Sequence, residues 1–122
     1  MNELIERLMA KTGISHPQAE KAIAIILDFL QKEGPQDQVQ ALIDKLPGAS
    51  DAIAAMQAAG GSGFFGGMGG LMGVANSLMG VGIGMGQMQT VTRELVGYAR
   101  ETVGEDAVEE ILDGIPGLDQ IL

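Results

Sequence analysis

The chain has no cysteine, no tryptophan, a single histidine, and only four aromatic residues, three phenylalanines and one tyrosine. Without cysteine there are no disulfides, no thiol catalysis and no zinc–thiolate centre. Positive charge is also scarce. Seven basic residues face sixteen acidic ones, for a formal charge of -9, so phosphate backbones and anionic headgroups repel the chain and nucleic acid is not an expected partner. What remains is aliphatic: 46% of the 122 residues are hydrophobic and 19% are charged, a composition that collapses around one core. Residues 1–122 are therefore expected to form a single domain, with an N-terminal helical unit at 1–59, an apolar segment at 60–86 and a C-terminal helical unit at 87–122. Met1 to Lys11 carries Glu3, Glu6 and Arg7 in an amphipathic pattern and not a basic stretch followed by an apolar run, so it reads as helix and the expected location is cytoplasmic.

Hydrophobic spacing on both flanks is helical. Leu4, Ile5, Leu8 and Met9 recur at three and four, and Gly13 can end that helix in a left-handed conformation. Ser15-x-x-Gln18 fits a capping box, and Pro17 in the following first turn costs no intrahelical bond. Ala19, Ala22, Ile23, Ile26, Leu27 and Leu30, widened by Ile25 and Phe29, form one broad stripe until Gly34-Pro35. A third helix is expected to begin at Asp37-x-x-Gln40 and to carry Val39, Leu42, Ile43 and Leu46, with Pro47-Gly48 ending it and Ala52 to Ala59 adding a further turn or two. Later, Met88, Val91, Leu95, Tyr98 and Ala99 predict a helix ending near Gly104, and Asp106-x-x-Glu109 is expected to cap a last one with Val108, Ile111 and Leu112. No strand is predicted.

A shift of 69 residues (113 minus 44) aligns Asp37-x-Val39-x-x-Leu42-Ile43-Asp44-x-Leu46-Pro47-Gly48 with Asp106-x-Val108-x-x-Ile111-Leu112-Asp113-x-Ile115-Pro116-Gly117, and Ile26-Leu27-x-Phe29 with Leu95-Val96-x-Tyr98. Any two amphipathic helices share a hydrophobic period, but the coincidence of Asp and Pro-Gly points to a duplicated helix-turn-helix unit. Each unit has an apolar face that it cannot bury alone, so the fold class expected is all-α, a small helical bundle of two related helix-turn-helix units joined by a glycine- and methionine-rich apolar segment.

That segment is the most informative feature. Residues 52–92 carry no charge, and Gly60 to Gly86 holds twelve of the nineteen glycines and four of the eight methionines. A linker of such glycine content is normally polar, whereas here the apolar side chains need cover. The candidate interaction surface is Phe64, Phe65, Met68, Leu71, Met72, Leu78, Met79 and Met85, and the candidate close-packing glycines are Gly66, Gly69, Gly70, Gly73, Gly80 and Gly84, small residues that let backbones approach. Three kinds of cover fit: packing within the protein or between subunits, insertion of residues 64–86 into a bilayer, or binding of an apolar ligand or partner helix. Packing accounts best for the pattern. Insertion would be weakly anchored, since nine of those 23 residues are glycine and no lysine or arginine lies between Lys45 and Arg93.

Chemical motifs are few. Gly61-x-Gly63-x-x-Gly66 spells a dinucleotide fingerprint without the preceding strand or the later acid that the chemistry requires. Met85-x-x-Met88 with Met68, Met72 and Met79 offers thioethers to Cu(I), but no cysteine or nearby histidine completes a site. His16 reads as a solvated residue at a helix start, and Glu105, Asp106, Glu109, Glu110 and Asp113 read as a solvated acidic face favoured by the helix dipole. No enzyme, no cofactor and no metal is expected.

Two resemblances add to this. Met1-Asn2-Glu3-Leu4-Ile5, Lys11-Thr12-Gly13-Ile14-Ser15 and Ala19-Glu20-Lys21-Ala22 resemble the amino-terminal helical hairpin of the bacterial histone-like HU proteins, over about a quarter of the chain. The resemblance implies a hairpin, a dimerising one in that family, without its DNA-binding basic β-ribbon arm, since the later sequence here is glycine, methionine and acid. Over the full length, Ile26-Leu27-x-Phe29-Leu30, Asp44-Lys45-Leu46-Pro47-Gly48 and Asp113-Gly114-Ile115-Pro116-Gly117-Leu118 resemble a small helical proteobacterial family of unknown function, the one catalogued as twenty-two sixty-seven. That likeness implies a fold and no activity. The expected function is a non-enzymatic, self-associating interaction or scaffold protein, a homo-oligomer open to a protein partner. The alternatives are a membrane-associated protein and an apolar-ligand carrier.

Overall fold

Ser15 sets the start of the longest helix in the N-terminal half. Its hydroxyl accepts from the Gln18 amide at 3.3 Å while Gln18 Oε1 accepts from the Ser15 amide at 2.9 Å, so two amides that the helix leaves unpaired are satisfied reciprocally. The computed structural model describes residues 2–46, 48–58 and 70–114, and among them lie seven helices and no strand. They are α1 (Asn2–Thr12), α2 (His16–Glu33), α3 (Gln36–Lys45), α4 (Ala49–Ala58), α5 (Gly70–Gly80), α6 (Met85–Val103) and α7 (Glu105–Asp113).

The fold is all-α, a small bundle of two related helix-turn-helix units. Adding 69 to the bounds of α2 and α3 gives 85–102 and 105–114, against the observed 85–103 and 105–113 for α6 and α7. The correspondence reaches further upstream than the quoted motifs, since α1 moved by 69 covers 71–81 and α5 occupies 70–80. Gly13 and Gly82, also 69 apart, both have positive φ, +75° and +91°. Each ends its helix in a conformation that glycine adopts without a Cβ penalty.

At the centre is α2. Every residue from Ala22 to Leu30 is buried, which requires cover on all sides. That cover comes from α1, α3, α4, α5 and α6. From α1 come Leu4, Ile5 and Leu8; from α4, Ala49, Ala52 and Ile53; from α5, Val74 and Leu78. The companion helix α6 is amphipathic instead, burying Met88, Val91, Thr92, Leu95 and Ala99. Where α2 has Ala24, Ile25 and Phe29, α6 has Arg93, Glu94 and Tyr98, all at least partly exposed.

Two helix starts differ from the sequence expectation. Helix α3 begins at Gln36 with Pro35 as its N-cap and no side-chain cap bond, so Asp37 lies in the first turn and is not the cap. Likewise α7 begins at Glu105 after Gly104, whose φ of +96° makes the sharp exit from α6. Asp37 and Asp106 thus favour their helices through the dipole and not through a hydrogen bond. The fourth helix is longer than the turn or two expected. Pro47, Pro116, Gly117 and the rest of the repeat's second end lie outside the described residues.

The two glycines make a direct test. A Cβ on Gly13 would meet nothing within 4 Å, whereas one on Gly82 would lie 2.7 Å from Gln18 Nε2. Gly13→Ala is expected to cost about 1 kcal/mol from its backbone conformation alone, and Gly82→Ala measurably more, as read by chemical denaturation; equal losses would contradict the close approach of Gln18.

Candidate functional site

The apolar segment is not uniform. Its second half folds into the bundle as α5 and the turn that follows, where the Val81 and Gly82 amides donate to the Leu78 and Met79 carbonyls at 3.1 and 3.0 Å. Helix α5 is eleven residues long, and the turn separates it from α6, so the described part of 64–86 is two helices and a turn and not one continuous span. Among the described residues no helix is long and apolar enough to cross a membrane.

Of the candidate surface, Phe64, Phe65, Met68, Gly66 and Gly69 lie outside the described residues. Leu71, Met72, Gly70 and Gly73 fall in α5. Leu78 is only 1% exposed and belongs to the hydrophobic core, so it packs within the chain. Met79 and Met85 are 56% and 71% exposed, the large hydrophobic side chains that the described fold leaves in water. They flank the turn at 81–84. A Cβ on Gly80 would meet nothing within 4 Å and one on Gly84 only Gln87 Oε1 at 3.6 Å, so among the described residues neither glycine serves a close helix contact.

The rejected motifs keep their plain readings. The His16 side chain is more than half exposed, its Nδ1 3.9 Å from Glu20 Oε2, and Glu105, Asp106, Glu109, Glu110 and Asp113 are all exposed. Among the described residues no three His, Cys, Asp or Glu side chains form a metal-binding group. A cleft of about 20 Å³ lies where α2, α3, α6 and α7 meet, walled by Ile26, Leu30, Leu42, Leu95, Ala99 and Ile111 among others. It pairs repeat equivalents: Ile26 with Leu95, Leu30 with Ala99, Leu42 with Ile111. Such a volume holds about one water-sized group, far below the roughly 300 Å³ of a small-molecule pocket.

Several residues that sequence reasoning missed join the two units. Gln18 Nε2 donates to the Val81 carbonyl at 2.9 Å and Gln87 Nε2 to the Thr12 carbonyl at 3.0 Å. Both the donors and the acceptors are 69 apart. The signal was present, because Gly13-Ile14-x-x-x-Gln18 recurs as Gly82-Ile83-x-x-x-Gln87. Arg7 on α1 donates to Glu101 on α6 at 2.8 Å and sits over the Tyr98 ring, 5.5 Å from its centroid. Sequence reasoning also passed over Asp28, an acid wholly buried in the apolar stripe of α2 between Leu27 and Phe29. Comparison with protein families, curated proteins and solved structures finds no match to this chain.

The hydrogen bond from Arg7, reinforced by its charge, holds the Glu101 carboxyl below its ordinary value of 4.5. A lowered folded-state value stabilises the fold above the unfolded carboxyl's range, and that gain is lost as pH falls through the folded one. Both side chains are substantially exposed, so the effect is small and screened by salt. Glu101→Gln should therefore lower the Tm slightly at pH 7 and not at all well below pH 4; a difference that persists in acid would contradict the ion pair as its cause.

Proposed function

We propose that the chain is a non-enzymatic, self-associating scaffold or interaction protein that uses its uncharged glycine- and methionine-rich segment as the contact surface. The observation that carries this is the exposure of Met79 and Met85 on either side of the turn between α5 and α6. Methionine is flexible and polarisable, and suits an adaptable protein contact. Supporting it, the region 52–92 has no charge to oppose apposition of two copies, while the cleft between the units, at about 20 Å³, is too small for an apolar ligand. The strongly acidic remainder of the chain favours protein over nucleic acid as partner and suits a cytoplasmic setting.

Membrane association is the competing reading, and a single experiment separates the two. Untagged, detergent-free protein measured by size-exclusion chromatography with light scattering should form a discrete oligomer. Met79→Ser combined with Met85→Ser should weaken that association about tenfold or more, given roughly 1.5–3 kcal/mol for burying each such side chain. A strict monomer would overturn the proposal, and polydisperse material that resolves only with vesicles would favour the membrane.

A further inference from the structure

The way the two units hold each other is reciprocal. Helix α1 packs more extensively on α6 of the second unit than on its own α2, and its repeat equivalent α5 packs more extensively on α2 than on its own α6. The hydrogen bonds run the same way: Gln18 reaches the end of the α5 turn at Val81, and Gln87 reaches the end of α1 at Thr12. Of the remaining contacts between the units, α2 with α6 and α3 with α7 are equivalent pairs, while α3 also packs on α6 without a comparably extensive contact of α7 on α2 among the described residues. When element X of one unit meets Y of the other, and Y of the first meets X of the second, the interface is isologous, the kind that two copies of one protein make across a two-fold axis.

From this we infer that the surface formed by α1 and α2 is a seat for a second copy of the same helical unit, occupied in this chain by its own C-terminal half, and that Gln18 and Gln87 are the two latches of that seat. Each glutamine does two separable things. Its Oε1 accepts from its own helix's N-cap amide, Ser15 or Gly84, at 2.9 Å, which is local. Its Nε2 donates across the interface, which is not. The units are joined covalently only through the chain between Ala58 and Gly70, so the pairing itself is noncovalent. The first unit therefore holds its partner by exchange of an arm, α1 for α5, and not by two self-contained hairpins placed side by side. This does not rest on the glycine- and methionine-rich surface proposed above, because the contacts named lie within one chain.

The experiment uses the full chain with a site-specific protease sequence inserted between residues 60 and 68, cut after folding. The two pieces are expected to remain one particle, with the mass of the uncut chain, at micromolar concentration. In that cut protein, Gln18→Glu and Gln87→Glu keep an oxygen for the N-cap amide and add a negative charge that a helix start favours. Each removes the donor that crosses the interface. Each should weaken the association of the pieces about three- to tenfold, as expected for one net hydrogen bond, and the two effects should agree within about threefold, with the helix content of the uncut variants unchanged by circular dichroism. Pieces that separate on cutting would overturn the inference, as would glutamate variants that leave the association unchanged, the result of a purely local capping role. So would a large effect at one glutamine and none at the other.

Discussion

The enclosure of α2 is the constraint on which the rest depends. Nine consecutive residues, Ala22 to Leu30, are out of solvent, all apolar except Asp28, and a helix buried on every side has no face to offer water. One hairpin partner covers about one side. Burial of a Leu or Ile side chain is worth roughly 1.5–3 kcal/mol, so leaving two faces of α2 open would forfeit more than the whole margin of a small domain, roughly 5–15 kcal/mol. The second unit is recruited for that cover. Helix α5 closes one flank with Val74 and Leu78, and α6 and α4 close others.

Duplication supplies the cover, and divergence makes it uneven. If both central helices were apolar all round, both would need five neighbours, more cover than the seven helices among the described residues supply. Arg93, Glu94 and Tyr98 on α6 replace Ala24, Ile25 and Phe29 on α2, so the second helix keeps one buried stripe and lets its back face water. Tyr98 in turn gives Arg7 a ring to rest on. Among the described residues a cleft of about 20 Å³ lies where the two units meet, and the exposed Met79 and Met85 flank the turn between α5 and α6.

Elements whose stripe and cap are both written in local sequence were legible: α1 with Gly13, α2 with Ser15 and Gln18, and α6 with four of its five buried positions, Thr92 being buried where Tyr98 was expected. The starts of α3 and α7 were not, because Asp37 and Asp106 sit two residues past the cap position, which a proline or a glycine occupies. Helix α5 was hidden for a different reason. Three glycines in eleven residues cost roughly 1 kcal/mol each in helix propensity, and only tertiary packing of Val74 and Leu78 onto α2 outweighs that. The candidate surface suffered likewise, since composition marks Leu78 and Met79 alike and only helix phase separates the buried one from the exposed one. The latches were visible as a repeated Gly-Ile-x-x-x-Gln, but nothing local says that a surface glutamine bonds to a carbonyl 63 residues away.

The central claim is that α5, poor in helix propensity, is held because α2 needs its cover, and native-state hydrogen exchange tests this most directly. If the account is right, amides of α5 such as those of Val74 and Leu78 exchange with the same opening free energy as the core of α2, as one cooperative unit. If α5 opens several kcal/mol below α2 while α2 stays protected, then α2 does not depend on it, and the enclosure that organises this structure is not what holds the fold together.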